Sequence, residues 1–347
     1  MSASGSTVEH THVNLRDLKP NAYVDGVYSL VNPQLGTARN GKHYFKALLR
    51  DASGETPLRL WSFEESMMPE VTRTGFVWVS GQTQSYNGQV QIVAESIRAV
   101  EVDQQALGRL LPTTGKDIEG MFAELCRILR SMRHPGMVAL AEQYLGNDAL
   151  VRGLKQAPAA VSVHHAWIGG LLEHTLQLLQ LAELMLPLYP SLNRDLVLMG
   201  LFLHDLAKTV ELEWERGFNY TVDGNLVGHC VRGAVWLQAF AGAAAREGHK
   251  LPPDAVKVLQ HIVVSHHGSL EFGAAKVPST PEAMFVAMLD NLDAKVAVTI
   301  TAAQREKGDA SLPGHEFTER IWSLDTRIFR PDPLSADAAA AEPDQPA

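Results

Sequence analysis

The hydrophobic period of this chain changes once, near residue 110, and that change limits its fold more than any other feature. Before it, apolar and β-branched residues come in short runs separated by the turn pairs Asn40-Gly41, Ser53-Gly54 and Asn87-Gly88, as in an antiparallel sheet. After it, apolar residues recur every three to four positions, as in Met121, Phe122, Leu125, Ile128 and Leu129, which marks amphipathic helices. A sheet module ahead of a helical module is expected. The 347 residues suffice for two cores, since single cores seldom grow past about 250–300 residues.

Five strands are predicted, over 22–33, 42–51, 56–61, 76–85 and 89–102, with a short helix between the third and fourth. That is the order of an OB-fold barrel. The expected architecture is an all-β OB-fold barrel over 21–105, a linker over 106–117 and an all-α domain over 118–330. Residues 1–20 and 331–347 are expected to be disordered. Strand alternation places Phe45, Ala47 and Leu49 on one face, and Tyr44, Lys46 and Arg50 on the other. Arg59 and Trp61 of the third strand join the second set. Aromatics mixed with cations can stack bases and neutralise phosphates, which makes these five residues candidate contacts to a single strand. A face packed on the neighbouring domain would have the same composition.

Helices are expected at 118–132, 136–145, 165–186, 195–211, 227–247, 254–265 and 280–302. In the fourth of these, Leu201-Phe202-Leu203-His204-Asp205-Leu206-Ala207-Lys208 sets a carboxylate among aliphatic side chains. That placement is costly unless the carboxylate is paired or binds a metal. His174, His229, His266-His267 and Asp290 lie on other predicted helices. Each alone has a plainer explanation, as a core histidine, a surface histidine or a helix-end cation. Taken together they require several separate buried polar groups, which one shared metal site would satisfy at once. His174, His204, Asp205 and Asp290 suffice for one ion, and His229, His266 and His267 for a second with Asp205 bridging. Two divalent ions about 3.5–4 Å apart can clamp an in-line displacement at phosphorus. Lys208, one turn after Asp205, would hold a phosphate oxygen or pair with Asp205 itself, so Asp205 and Lys208 are the candidate catalytic residues. The set lacks cysteine, which favours manganese, iron, magnesium or zinc, although Cys230 adjoins His229.

Composition adds bounds. A net charge of -9 argues weakly against a broad nucleic-acid footprint, though part of it belongs to the acidic stretch after Pro331. Two cysteines cannot form a disulfide framework, so a cytoplasmic setting is expected. Neither a signal peptide nor a membrane span is legible.

With these residues in view, the chain resembles the HD superfamily of metal-dependent phosphohydrolases. The resemblance rests on His174, on His204-Asp205 with Lys208, and on Asp290 in Leu289-Asp290-Asn291-Leu292-Asp293-Ala294-Lys295. His229 and His266-His267 are similar to the extra ligands of binuclear members such as the HD-GYP phosphodiesterases, whose signature Gly268-Ser269-Leu270-Glu271-Phe272-Gly273 does not match. The sharper resemblance, from about residue 21 to 329, is to the YhaM-type 3′–5′ exoribonucleases, which carry an OB-fold before an HD domain. It rests on Gly169-Gly170-Leu171-Leu172-Glu173-His174-Thr175, on the stretch from the histidine pair through Pro278-Ser279-Thr280-Pro281-Glu282-Ala283, and on the Asp290 run. It implies a manganese-dependent exonuclease acting on single-stranded RNA, and to some extent DNA, with metal-activated water as nucleophile. Iron, cobalt, magnesium and zinc remain alternatives. Under the same resemblance His164 and His165 are assigned to substrate near the cleft. Two rivals stand beside it: a phosphodiesterase of small nucleotides, and a nucleic-acid-binding protein whose helical domain is structural. Self-association is left open.

Overall fold

The computed structural model describes residues 12–334 apart from 39–40, 62, 87–88, 103–106, 108–109, 162–164, 215–217 and 306–315. Asn40, the Asn87-Gly88 pair and His164 therefore lie outside the described residues, as do 335–347.

Strands β1 (Tyr23–Thr37), β2 (His43–Asp51), β3 (Gly54–Trp61), β4 (Phe76–Tyr86) and β5 (Gln89–Ala99) close a barrel in the order β1-β2-β3-β5-β4. All neighbours are antiparallel except β3 with β5. A single helical turn, Met68–Val71, lies between β3 and β4. This is the OB topology that the strand order predicted. Phe45 and Leu49 are fully buried with Val24, Tyr28, Leu58 and Ile92, as alternation requires. Closure needs a close approach of β4 to β5 at Gly81, where a Cβ would run into the Val93 backbone. The barrel unit begins earlier than residue 21, since Leu15 and Leu18, expected to be disordered, are buried in its core.

The helical domain comprises α1 (Ile118–Arg130), α2 (Pro135–Leu145), α3 (Asp148–Gln156), α4 (Gly170–Met185), α5 (Arg194–Leu203), α6 (Lys208–Glu211), α7 (Val222–Leu226), α8 (His229–Arg246), α9 (Pro253–Ser265) and α10 (Pro281–Arg305). Its core joins Leu125, Leu140, Leu172, Leu198, Leu237, Leu259 and Val286. Two expected helices differ. The one predicted from His165 starts at Gly170, because His165 and Gly169 take left-handed φ values of 49° and 81°, which a helix cannot accommodate. The one predicted over 195–211 breaks after Leu203. There the His204 ring takes the Leu201 carbonyl and the Thr209 hydroxyl takes that of Leu206, side-chain competition that disrupts the helical ladder. Helix α3, which periodicity did not reveal, is capped by Asn147 accepting from the amides of Ala149 and Leu150.

The expected linker packs against both modules. Leu111 is fully buried, and with Leu110 it joins Phe76 of the barrel and Phe218 of the helical domain in one apolar cluster. Beyond it, the Ile168 amide donates to Pro112 and the Thr114 amide to Ile168. The two modules thus share an apolar seam of their own.

Candidate metal centre

The ligand candidates come from five places: His174 on α4, His204 and Asp205 in the turn after α5, His229 at the start of α8, His266-His267 just past α9, and Asp290 on α10. They converge as two sets. In the first, Nε2 of His174 lies 3.3 Å from Nε2 of His204 and 3.3 Å from Asp290 Oδ1. In the second, Nε2 of His229 lies 3.3 Å from Nε2 of His267. Asp205 stands between them. Its Oδ2 is 3.5 Å from Nε2 of His204 and 3.7 Å from Nε2 of His174, while its Oδ1 is 3.4 Å from Nε2 of both His229 and His266.

Tautomers decide whether these distances suit a cation. His204 donates through Nδ1 to the Leu201 carbonyl at 2.7 Å, and His266 through Nδ1 to that of Val263 at 2.8 Å. His174 donates through Nδ1 to Asp293 at 2.7 Å, and His229 through Nδ1 to Glu211 at 2.7 Å. A neutral imidazole that donates at Nδ1 offers a lone pair at Nε2. Four Nε2 lone pairs therefore face into the two sets, where they cannot hydrogen-bond to one another. Asp205 Oδ1 and His266 Nε2 are buried with no hydrogen-bond partner among the described residues, which is costly unless something else binds there. A carboxylate or carbonyl behind each ligand imidazole is the usual support of a metal-binding histidine. The donor set fits divalent ions.

Electrostatics agree except at His174. Burial would discharge that ring, but Asp290 and Asp293 raise its pKa to about 9, so that a cation bound there displaces its Nε2 proton. Burial opposes ionisation of Asp205, but Lys208, His204 and the other histidines hold its carboxyl well below the ordinary range. Asp290 is likewise held low against burial, chiefly by His174. Burial pushes His204 down to about 4 and His267 to about 3, so both are neutral and competent as ligands. Burial would discharge Lys208, but Asp205 Oδ2, 2.7 Å from its ammonium, raises its pKa above the usual lysine value. The side chains of Lys208, His229 and Asp290 are 13%, 11% and 15% exposed against 0% for His174 and His204, which marks the open side of the centre.

Not every predicted site residue lies where expected. His165 is buried behind His174, with Nε2 3.1 Å from the same Asp293 oxygen that holds His174. It is a neighbour of a candidate ligand, buried behind it. Arg50 is 3% exposed. Its guanidinium bonds Glu55 and the Val161 carbonyl and lies over Phe218, so it ties the barrel to the helical domain. The strand pattern gave its face correctly but could not tell that the far end of that face is covered. Sequence reasoning also missed Asp293, Glu211 and Gln177, whose amide donates to Asp293. The available signal was spacing: Asp293 and Glu211 each lie one helical turn beyond a candidate, Asp290 and Lys208.

The uncovered part of the barrel face keeps its predicted character. Tyr44 pairs across strands with Trp61, and Lys46 with Arg59. The Tyr44 and Trp61 rings lie 5.1 Å apart, and Arg59 sits over Tyr44, Trp61 and Tyr86. Two cations directly opposed on a sheet repel, and an anion between them would relieve that.

Comparison with known proteins adds the following. The HD domain family matches residues 171–295. The 3′–5′ exoribonuclease YhaM of Geobacillus sp. (strain WCH70) is 34% identical over 295 residues, 85% of this chain and 87% of that protein. Among solved structures, the second OB-fold domain of replication protein A from Methanococcus maripaludis is 20% identical, covers 26% of this chain and 96% of its own, and has a TM-score of 0.21. RecG bound to a three-way DNA junction is 19% identical, covers 47% and 28%, and has a TM-score of 0.22. At such scores these two structures carry no weight beside the barrel topology itself. No helix among the described residues is long and apolar enough to cross a membrane.

Proposed function

This chain belongs to the YhaM family of 3′–5′ exoribonucleases, and on that premise we propose that it shortens single-stranded RNA, and single-stranded DNA less readily, from the 3′ end with two divalent ions per chain. The observation that carries this reading is Asp205, which offers one carboxylate oxygen to each of two imidazole sets. His174, His204 and Asp290 would hold the first ion, and His229, His266 and His267 the second, with Asp205 shared. Bound there, the ions, manganese in the first instance, supply Lewis acidity at phosphorus and a water nucleophile near neutral pH.

The remaining steps fall to the chain's own groups. Lys208 keeps its proton because Asp205 is beside it, and its other two N–H bonds are free to donate to a non-bridging phosphate oxygen. Asp293 and Glu211 fix the ring orientations of His174 and His229, so the ligands need no rearrangement when substrate arrives. On the barrel, Tyr44 and Trp61 stack bases while Lys46 and Arg59 neutralise phosphates. The mixture of stacking and charge contacts is tolerant of sequence, as stepwise trimming of a polymer requires.

The test is a 5′-labelled single-stranded RNA incubated with protein and manganese, beside Asp205→Ala. A ladder of products shortened from the 3′ end, absent in the variant, is expected. Folded, metal-loaded protein that leaves the RNA intact with every divalent ion while cleaving a small phosphodiester would overturn the exonuclease reading in favour of a small-nucleotide phosphodiesterase.

A further inference from the structure

The second imidazole set has a fourth neighbour that the family ligand pattern does not use. Cys230 follows His229 in the first turn of α8. Its Sγ lies 3.6 Å from Nε2 of His229, and ligand atoms of His229, Cys230, His266 and His267 all fall within 4.8 Å of one another. Two donors on one ion, at metal–nitrogen bonds of about 2.0–2.1 Å and metal–sulfur bonds of about 2.3 Å, stand about 3–4 Å apart when they are neighbours in its shell. The observed 3.3 Å between His229 and His267 and the 3.6 Å from His229 to Cys230 fall in that range. A second feature points the same way. His266 is 1% exposed, and its Nε2, turned into this cluster by the Nδ1 bond to Val263, has no hydrogen-bond partner among the described residues.

Resting on the binuclear reading above, we propose that Cys230 is a ligand of the second ion, so that this site is built of imidazoles and a thiolate beside the shared Asp205. On binding, the thiol gives up its proton to solvent and the sulfur lone pair forms the bond to the metal. Without an ion, burial and then the Asp205 carboxylate push the Cys230 thiol up to about 12, so it is the bound cation that displaces the proton. Thiolate shifts selectivity away from magnesium and manganese and toward zinc, cobalt(II) or iron(II). The two sites then differ in kind: an oxygen-rich first site, and a second that retains a softer ion.

Cobalt(II) alone is the probe. Protein loaded with two equivalents is expected to show the intense near-ultraviolet thiolate-to-cobalt charge-transfer band. The band should vanish in Cys230→Ser and Cys230→Ala and persist in Cys126→Ser. Zinc affinity at one of the two sites should fall at least tenfold in the Cys230 variants, while the other site is unchanged. Two cobalt ions bound without the band would overturn the thiolate ligand and leave the binuclear centre standing. Only one ion bound to the wild type would overturn both. The wild-type spectrum reads the ligand directly, so the result does not depend on a variant folding.

Discussion

Asp293 Oδ2 accepts from Nδ1 of His174 at 2.7 Å and, on the same oxygen, from Nε2 of His165 at 3.1 Å. One carboxylate thereby fixes the tautomer of the proposed ligand His174 and seats a left-handed loop residue behind it. The Gln177 amide occupies its other oxygen. Asp293→Ala should weaken binding of the first ion by about 10–100-fold, the usual effect of removing the support of a metal-bound histidine. Competition against a chelating dye measures this, and unchanged affinity would show that His174 needs no such support.

Lys208 and Asp205 form a pair whose partner changes with metal. Lys208→Met leaves the metal-free protein with an uncompensated buried carboxylate, a loss of about 3–5 kcal/mol. With divalent ions bound, the cations take over that carboxylate. The drop in melting temperature should therefore be larger in chelator than in manganese, while RNA turnover falls with two ions still bound. Equal drops under both conditions would count against Asp205 as a ligand.

Trp61 is 46% exposed on the barrel face. Trp61→Ala should cost about 1–3 kcal/mol of oligonucleotide affinity, the range for one stacked base, with little change in melting temperature. Hydrolysis of a small chromogenic diester should continue at the wild-type rate. Fluorescence anisotropy with a labelled oligonucleotide would reveal an unaltered affinity if the strand binds elsewhere.

Arg50 should give the opposite result. Arg50→Met removes the bonds to Glu55 and to the Val161 carbonyl across the domain seam. A loss of about 1–3 kcal/mol of stability is expected from the groups left unpaired, with oligonucleotide affinity on the isolated face unchanged. A drop in affinity without a drop in stability would restore Arg50 as a substrate contact.

Asp51 anchors the segment that precedes the barrel. Burial favours its protonated form, yet His12, Ser53 and the Leu15 amide hold its pKa below the ordinary 3.8. A folded-state value below the unfolded one contributes stability that is present above pH 3.8 and lost as pH falls through the folded value. Asp51→Asn should be less stable than wild type at neutral pH, and the gap should close as the solution is acidified past that point. Urea midpoints across pH would expose a pH-independent gap, which would assign the loss to packing.

The residues that converge at the candidate centre were legible in the sequence because residue type carries the signal: a carboxylate beside a histidine in an apolar run needs partners, and the other helices offered imidazoles and a carboxylate in apolar runs of their own. The barrel was legible because alternation has a fixed period and Ser53-Gly54 admits a turn. What the sequence could not supply was distance between elements. Helical period put Lys208 on the face of Asp205, but only packing brought Asp293 to His174, Glu211 to His229 and Cys230 into the second set. The same limit explains Arg50 and His165, whose residue types suit a substrate contact equally well. Their roles were decided by what covers them: the seam around Phe218 for one, and the Asp293 carboxylate for the other. Pattern along a chain fixes which way a side chain faces within its own element, and the packing of elements against each other decides what it meets there.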